Sequence, residues 1–395
     1  MTALRFATVI VIGIFLTATS VCGGSDRDRH ETLPGSFEAY RQETIQRLEK
    51  RRDFQTADRK AELDWNAPRE WRPEGQPQKG ILLVHGLGDS PWTFHDIGQY
   101  LAAHGFLVRA VLLPGHGTRP EDLLHVKLRD WQRVVDEQTK ALQKEVKEVY
   151  LGGFSLGGDL VLDYAYAHPE IAGLLLFSPA FKSDEPFAWV APWISWAVPW
   201  LLKPEGHVTQ NAVRYMIVPT NAFAQYYLSA RKARCDLDRA PYDKPVLMVA
   251  AEHDDILDSS YLLKTFRTRF TNPASRLIWY GNLPAKDEND SRILVRTDSL
   301  PDFHISQFSH MGVMFSPDNP LYGIHGSLRI CSNGEDKAAT TACERGAPVW
   351  YAGWGYKQAG KIYARLTFNP YFDWQMQVMD GVLKAASTTA TSVVR

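Results

Sequence analysis

The sequence predicts an α/β fold built on a mostly parallel, doubly wound sheet. Six apolar runs, Ile81–Val84, Phe106–Leu113, Val149–Phe154, Ala172–Phe177, Pro245–Ala251 and Arg276–Tyr280, are nearly continuous in Val, Ile and Leu. Strands buried on both faces read this way, whereas strands with one wet face alternate. Helical patterns separate the runs, and a β-α-β-α-β-α-β order is that of a sheet with helices on both sides. The composition agrees, since 395 residues with 45% apolar and 23% charged side chains exclude global disorder and allow one large domain or two ordinary ones. Lys and Arg total 44 against 45 Asp and Glu, so no basic excess points to nucleic acid.

In chain order, Arg5 precedes an uncharged stretch, Phe6–Ser25, with an apolar core at Val9–Leu16 and small polar residues at Thr17–Ser20. That order is a secretory signal's. Residues 1–25 therefore read as a signal peptide or an N-terminal membrane anchor. A spanning anchor wants ~20 apolar residues, more than the core here supplies. Lipidation at Cys22 is a third route, with Val21 where a small residue is the norm. Each route exports the folded part, to periplasm, envelope or medium. Residues 26–79 read as a polar extension with one helix around Phe37–Phe54 and no strand. Residues 80–180 and 241–395 form the core. Within it, Ser90-Pro91 and Gly105 bracket one helix, Asp130–Glu145 is a second, and Leu156–His168 a third, stopped by Pro169.

Two segments interrupt the alternation. Residues 181–240 read as a helical cap with Trp189, Trp193, Trp196 and Trp200 on one face of helical turns, kinked by Pro192 and Pro199. Packed on the core, these indoles are structural; turned to substrate, they line an acyl pocket or meet a lipid surface. Residues 322–369 form a Cys-bearing insertion. In an oxidising compartment Cys331 and Cys343 read as a disulfide closing a surface loop. A metal site is set aside, because no other Cys or His lies between them. Cys235 has no obvious partner.

Residues 149–158, VYLGGFSLGG, place G-x-S-x-G between a strand and a helix. A serine projected from a sharp strand-to-helix turn needs small residues two before and two after it, and here both are glycine. The following helix start aims free N–H groups at any anion formed there. Ser155 is the candidate nucleophile. Together with HGLGDSPWTF (85–94), LPGHGTRPEDLL (113–124) and AEHDDILDSS (251–260), this motif resembles the α/β-hydrolase superfamily, and within it the monoglyceride lipase, lysophospholipase and serine aminopeptidase-like group. The resemblance covers roughly residues 80–310. It departs where the usual first hairpin is missing before residue 80, where a long interval precedes the histidine, and where the Cys-bearing segment follows.

The resemblance implies an α/β-hydrolase fold with an inserted cap, no metal or organic cofactor, and a small-molecule or lipid ester as substrate. It implies oxyanion donors at the backbone N–H groups of Leu87 and Leu156, with His85 and His116 structural. The superfamily order Ser, Asp, His gives Asp254 as the acid, with Asp255 and Asp258 as rivals. For the base, His310 follows the strand-like Phe303–Phe308, His304 lies inside it, and His325 lies beyond; His310 is preferred. Glu252 and His253 read as a solvated loop. Membrane association through the N-terminus or the Trp-rich cap is a further expectation. Two alternatives stay open: an aminopeptidase of the same fold, which needs a carboxylate near the site, and a catalytically silent envelope binding protein.

Overall fold

The apolar runs become strands of one sheet. They are β2 (Lys79–Val84), β3 (Phe106–Val111), β4 (Glu148–Phe154), β5 (Leu174–Phe177), β6 (Val246–Ala251) and β7 (Arg276–Tyr280). Two strands at the edges, β1 (Arg69–Trp71) and β8 (Ile293–Arg296), complete an eight-stranded sheet in the order β1-β3-β2-β4-β5-β6-β7-β8. Every pairing is parallel except β1 with β3. The computed structural model describes residues 36–284 and 289–393. Residues 1–25 and Cys22, read above as an export signal or anchor, lie outside them. Among the described residues no helix is long and apolar enough to cross a membrane.

Alternate residues of each strand face opposite sides, which explains the continuous apolar reading. Leu82, Val84, Leu151, Leu174, Leu176 and Met248 enter one core, with α4 (Leu128–Gln143), α5 (Leu156–Ala167) and α8 (Ser259–Arg269). Ile81, Leu83, Leu175, Phe177, Leu247 and Val249 enter the other, with α3 (His95–Ala103) and the final helix α10 (Phe372–Val393). The chain runs from β2 to β3 on one side and resumes at β4 on the other, so the order reverses between β2 and β4. Their ends lie side by side, with Val84 opposite Gly153. Ligands of such sheets bind at the carboxyl ends of strands at this switch point.

Three readings need correction. Among its described residues, 36–79, the extension holds two helices, α1 (Phe37–Arg51) and α2 (Arg59–Asn66), followed by β1, not one helix and no strand. The strand β1 is three half-exposed residues between Pro68 and Pro73, too short and polar to leave a pattern. Second, Phe303–Phe308 is not a strand. Pro301–Phe303 is a 3-10 turn ending at His304 in the left-handed region, and Ile305 makes only isolated bridges. The last strand of the main sheet is β8, inside the long interval that precedes His310; its outer residues Val295 and Arg296 are exposed, so the apolar signal is absent. Phe308 is apolar because it plugs the core, not because it pairs.

Third, the Trp run is not helical throughout, and Trp196 and Trp200 lie outside its helical turns. Trp189 lies in a 3-10 turn and Trp193 in the four-residue α6 (Ala191–Ile194). The cap's long helix is α7 (Thr220–Arg239), which buries Ala222, Tyr226, Ala233 and Leu237 in the core. The Cys331–Cys343 disulfide is formed, as the sequence predicts. It staples α9 (Lys337–Glu344) beside a small parallel pair, β9 (Trp350–Ala352) with β10 (Tyr363–Arg365).

The N-terminal helices are tied in by a buried ion pair. The Arg52 guanidinium donates to Glu62 at 2.8 Å and to the carbonyls of Gly117 and Ala212. Glu62 also accepts the N–H groups of Gln55 and Thr56. Glu62→Ala leaves a buried cation unpaired, which costs about 3–5 kcal/mol. Chemical denaturation should show a loss of that size, whereas Lys60→Ala, at an exposed neighbour, should change little.

Candidate active site

Ser155 caps the N-terminus of α5 with φ 53° and ψ −120°. A non-glycine residue here carries strain, about 1–3 kcal/mol. The turn is held by its surroundings: the Ser155 N–H donates to Phe177 O, and Ser155 O accepts from Gly158 and Ala180. The flanking glycines are steric necessities. A Cβ on Gly153 would lie 2.3 Å from the Gly157 carbonyl carbon, and one on Gly157 would lie 1.9 Å from Val84 O.

The HGLG turn after β2 abuts this elbow. A Cβ on Gly86 would lie 3.2 Å from Ser155 Cβ and 2.7 Å from an Asp89 carboxylate oxygen. Leu87 sits half-buried between Gly86 and Gly88, the latter at φ 78°. Leu156 is fully buried and opens α5 directly after Ser155, so its N–H has no partner within the helix.

The three aspartates after β6 separate by partner. Asp254 Oδ2 lies 2.8 Å from His310 Nδ1, and its Oδ1 accepts the N–H groups of Ile256 and Leu257. Asp255 Oδ1 accepts the backbone N–H of His310 at 2.9 Å. Asp258 caps α8 and pairs with Lys182. The His310 ring packs 4.9 Å from that of Phe154, the residue before Ser155. His304 is exposed and stacked on Trp350, and His325 is exposed. Glu252, His253 and Asp298 form a neighbouring cluster, with His253 Nδ1 2.6 Å from Asp298.

His85 and His116 are buried against each other, 4.8 Å between rings, and His85 Nε2 accepts the Leu113 N–H. Burial, then the neighbouring His116, pushes His85 well below the ordinary histidine range. Burial pushes His116 down to about 4. Both rings therefore fold neutral, and below about pH 6.5 the unfolded chain binds more protons than the folded one. Their contribution is complete above that pH and is lost as pH falls toward 4. The urea midpoint should drop across this window, and His116→Asn should flatten the drop.

The cap bridges the two halves of the site. Its entry meets the acid loop through Asp184 N–H to Ile256 O and Asp258 N–H to Lys182 O. Its later part meets the HGLG turn through Tyr215 N–H to Gly88 O. Sequence reasoning missed Asp89 and Arg214, which form an ion pair at 2.7 Å where these parts meet. Asp89 is buried, its second oxygen has no partner, and burial raises its pKa despite Arg214. The cap carboxylates Asp184, Glu185 and Glu205 are exposed instead. Trp189, Trp193 and Trp196 are 54%, 73% and 85% exposed, and Trp200 is half-buried, so the indoles are not packed on the core.

Against known proteins, residues 75–283, just over half the chain, match the family described as serine aminopeptidase, S33. The chain is similar to a thermostable monoacylglycerol lipase of Bacillus sp. (strain H-257), at 34% identity over 101 residues, 26% of this chain and 40% of that one. It is 34% identical over 109 residues to a carboxylesterase of Bacillus subtilis (strain 168), covering 27% and 44%. It is 31% identical over 119 residues to human monoglyceride lipase, covering 28% and 38%. The chain thus spans about two-fifths of the length of these relatives. The matched region holds the elbow, the HGLG turn and Asp254, and it ends before His310. With the parallel sheet and the serine elbow in place, the chain belongs to the serine aminopeptidase, S33 family of α/β hydrolases.

Proposed function

We propose that the protein is a serine hydrolase cleaving carboxylic esters, a glyceride, lysophospholipid or similar acyl ester, through an acyl-Ser155 intermediate. The observation that carries this reading is the Asp254–His310 bond at 2.8 Å beside the strained serine elbow. Asp254 holds Nδ1, which leaves Nε2 as the ring nitrogen for the serine proton. Ser155 Oγ attacks the ester carbonyl carbon as His310 takes its proton. The tetrahedral intermediate collapses, and His310 returns the proton to the departing alcohol. Water then repeats the sequence on the acyl-enzyme, releasing the acid and restoring Ser155. The Leu87 and Leu156 N–H groups stabilise the oxyanion, each donor being worth ~2.7–4 kcal/mol where measured. These steps call for no metal or organic cofactor.

The names of the similar proteins, monoacylglycerol lipase and carboxylesterase, support an ester over a peptide. The aminopeptidase reading draws on Asp89, whose unpartnered oxygen beside Ser155 could accept from an ammonium or a hydroxyl group. Arg214 already neutralises that carboxylate, which favours the hydroxyl. Assaying a p-nitrophenyl ester beside an aminoacyl anilide decides: turnover of the ester alone is expected. Anilide turnover alone moves the reading to a peptidase, and neither moves it to a silent binding protein.

The exposed Phe187, Trp189, Trp193, Trp196, Leu201 and Leu202 support a lipid-facing cap. Trp193→Ala with Trp196→Ala should weaken co-sedimentation with phospholipid vesicles, and unchanged binding would remove that role. The signal-like N-terminus and the disulfide support export. Recovery of the protein only in the cytosol would contradict it.

A further inference from the structure

The catalytic histidine lies beyond the family-matched region, and the chain that follows it folds back onto it. The β9–β10 pair, stapled by the disulfide through Val349 and Ala364, presses against the acid loop at Gly353. A Cβ there would lie 3.3 Å from His253 O and 3.4 Å from Asp255 Cβ. Three tethers join this unit to the segment carrying His310. Tyr351 exchanges backbone bonds with His304 and Ser306, and Ser309 Oγ donates to Leu366 O. The third is charged: Arg365 Nη1 lies 3.2 Å from Asp255 Oδ2, while Asp255 Oδ1 accepts the His310 N–H.

Arg365 is itself fixed. Its N–H donates to Ile330 O and its Nε to Asn333 Oδ1, both beside Cys331. Asp255 also accepts the Trp354 N–H, so every contact of the carboxylate named here either holds His310 or comes from the disulfide-stapled unit. The side chains are 13% and 6% exposed, which shields the pair from water and salt. Burial pushes the Asp255 carboxyl up, but Arg365 and the His310 and Trp354 donors outweigh it, holding the group below the ordinary carboxylate range. The charge is therefore present throughout the working pH range.

We propose that the disulfide-stapled segment completes the active site, with Arg365 as a positioning residue that acts on His310 through Asp255. This rests on His310 being the base. Asp254 sets the ring through Nδ1; Asp255, one residue on, sets the backbone from which the ring projects. Adjacent carboxylates thus fix the same histidine at two points, and Arg365 neutralises the second so that it does not compete for the imidazolium. The charged groups around the His310 segment are Asp254, Asp255 and Asp89, with Arg365 and Arg214, the latter bonded to Met311 Sδ.

The test measures kcat, KM and the pH profile for a p-nitrophenyl ester in the full chain, with rates referred to the titre of fluorophosphonate-reactive sites. Arg365→Met should lower kcat about 10²-fold, the penalty for small misplacement of a catalytic group, and leave KM nearly unchanged. Arg365→Lys should recover most of the loss. The acid limb of kcat/KM should move to higher pH in Arg365→Met, where the cation that neutralises Asp255 is gone. It should move to lower pH in Asp255→Asn, where an anion is gone. A merely structural role would not move the two limbs in opposite directions. If Arg365→Met does not fold, Asp255→Asn decides by its limb and kcat. Values of kcat within about twofold of wild type with unmoved limbs overturn the proposal. If that happens while His310→Ala is inactive, only this proposal falls; if His310→Ala is active, the assignment of the base falls first.

Discussion

Replacing Ser155 by alanine should lower kcat for an activated ester by about 10⁶-fold, the loss seen when the nucleophile of a serine hydrolase is removed. The fold should be indifferent to the change. The Ser155 backbone is held by Phe177 O and by the N–H groups of Gly158 and Ala180, and alanine keeps all three contacts. Its φ of 53° is strained for serine and alanine alike. Ser155→Gly should be equally inactive yet melt higher, because glycine adopts this backbone without strain, a gain of about 1–2 kcal/mol. An elbow that is inactive but stabler as glycine separates a functional serine from a structural one. A loss of activity that tracked a loss of melting temperature would instead point to a structural residue.

His310→Ala should lower kcat by a similar factor of about 10⁶, since a nucleophile without its base loses nearly the whole effect. Asp254→Asn should cost about 10⁴-fold, by presenting an N–H to Nδ1 and stabilising the wrong tautomer. The double variant Ser155→Ala, His310→Ala should be little worse than either single one, because residues acting as a unit do not add. His304→Ala should remain active: that ring is exposed and stacked on Trp350. The reverse outcome, an active His310→Ala and an inactive His304→Ala, would mean that the Asp254–His310 bond is structural.

The central strands were legible because a parallel strand with a helix on each face has no wet side, so the β2–β7 runs show in composition alone. The edges were not. β1 and β8 each lack a neighbour on one side, carry Arg69, Glu70 and Arg296, and read as loop. The elbow was legible because the close approach of Gly157 to Val84 O admits no side chain, leaving a glycine signature in the sequence. The choice of His310 rested on a strand at Phe303–Phe308 that does not exist; what singles it out is its bond to Asp254. Asp254, Asp255 and Asp258 lie within one five-residue stretch, and only tertiary partners separate a triad candidate from a backbone clamp and a helix cap. Arg365 lies 110 residues beyond Asp255, and no periodicity links two such positions. The indole spacing left packing and exposure open, and the structure leaves Trp189, Trp193 and Trp196 exposed around the breaks at Pro192 and Pro199.

The central claim is that Ser155 is the residue that becomes acylated, and peptide mapping after reaction with a serine-directed fluorophosphonate tests it most directly. The account predicts one equivalent of label on the peptide carrying Gly153–Gly158, none in Ser155→Ala, and slowed labelling in His310→Ala, where no base assists the attack. Label on any other residue, or labelling that survives Ser155→Ala, would contradict it.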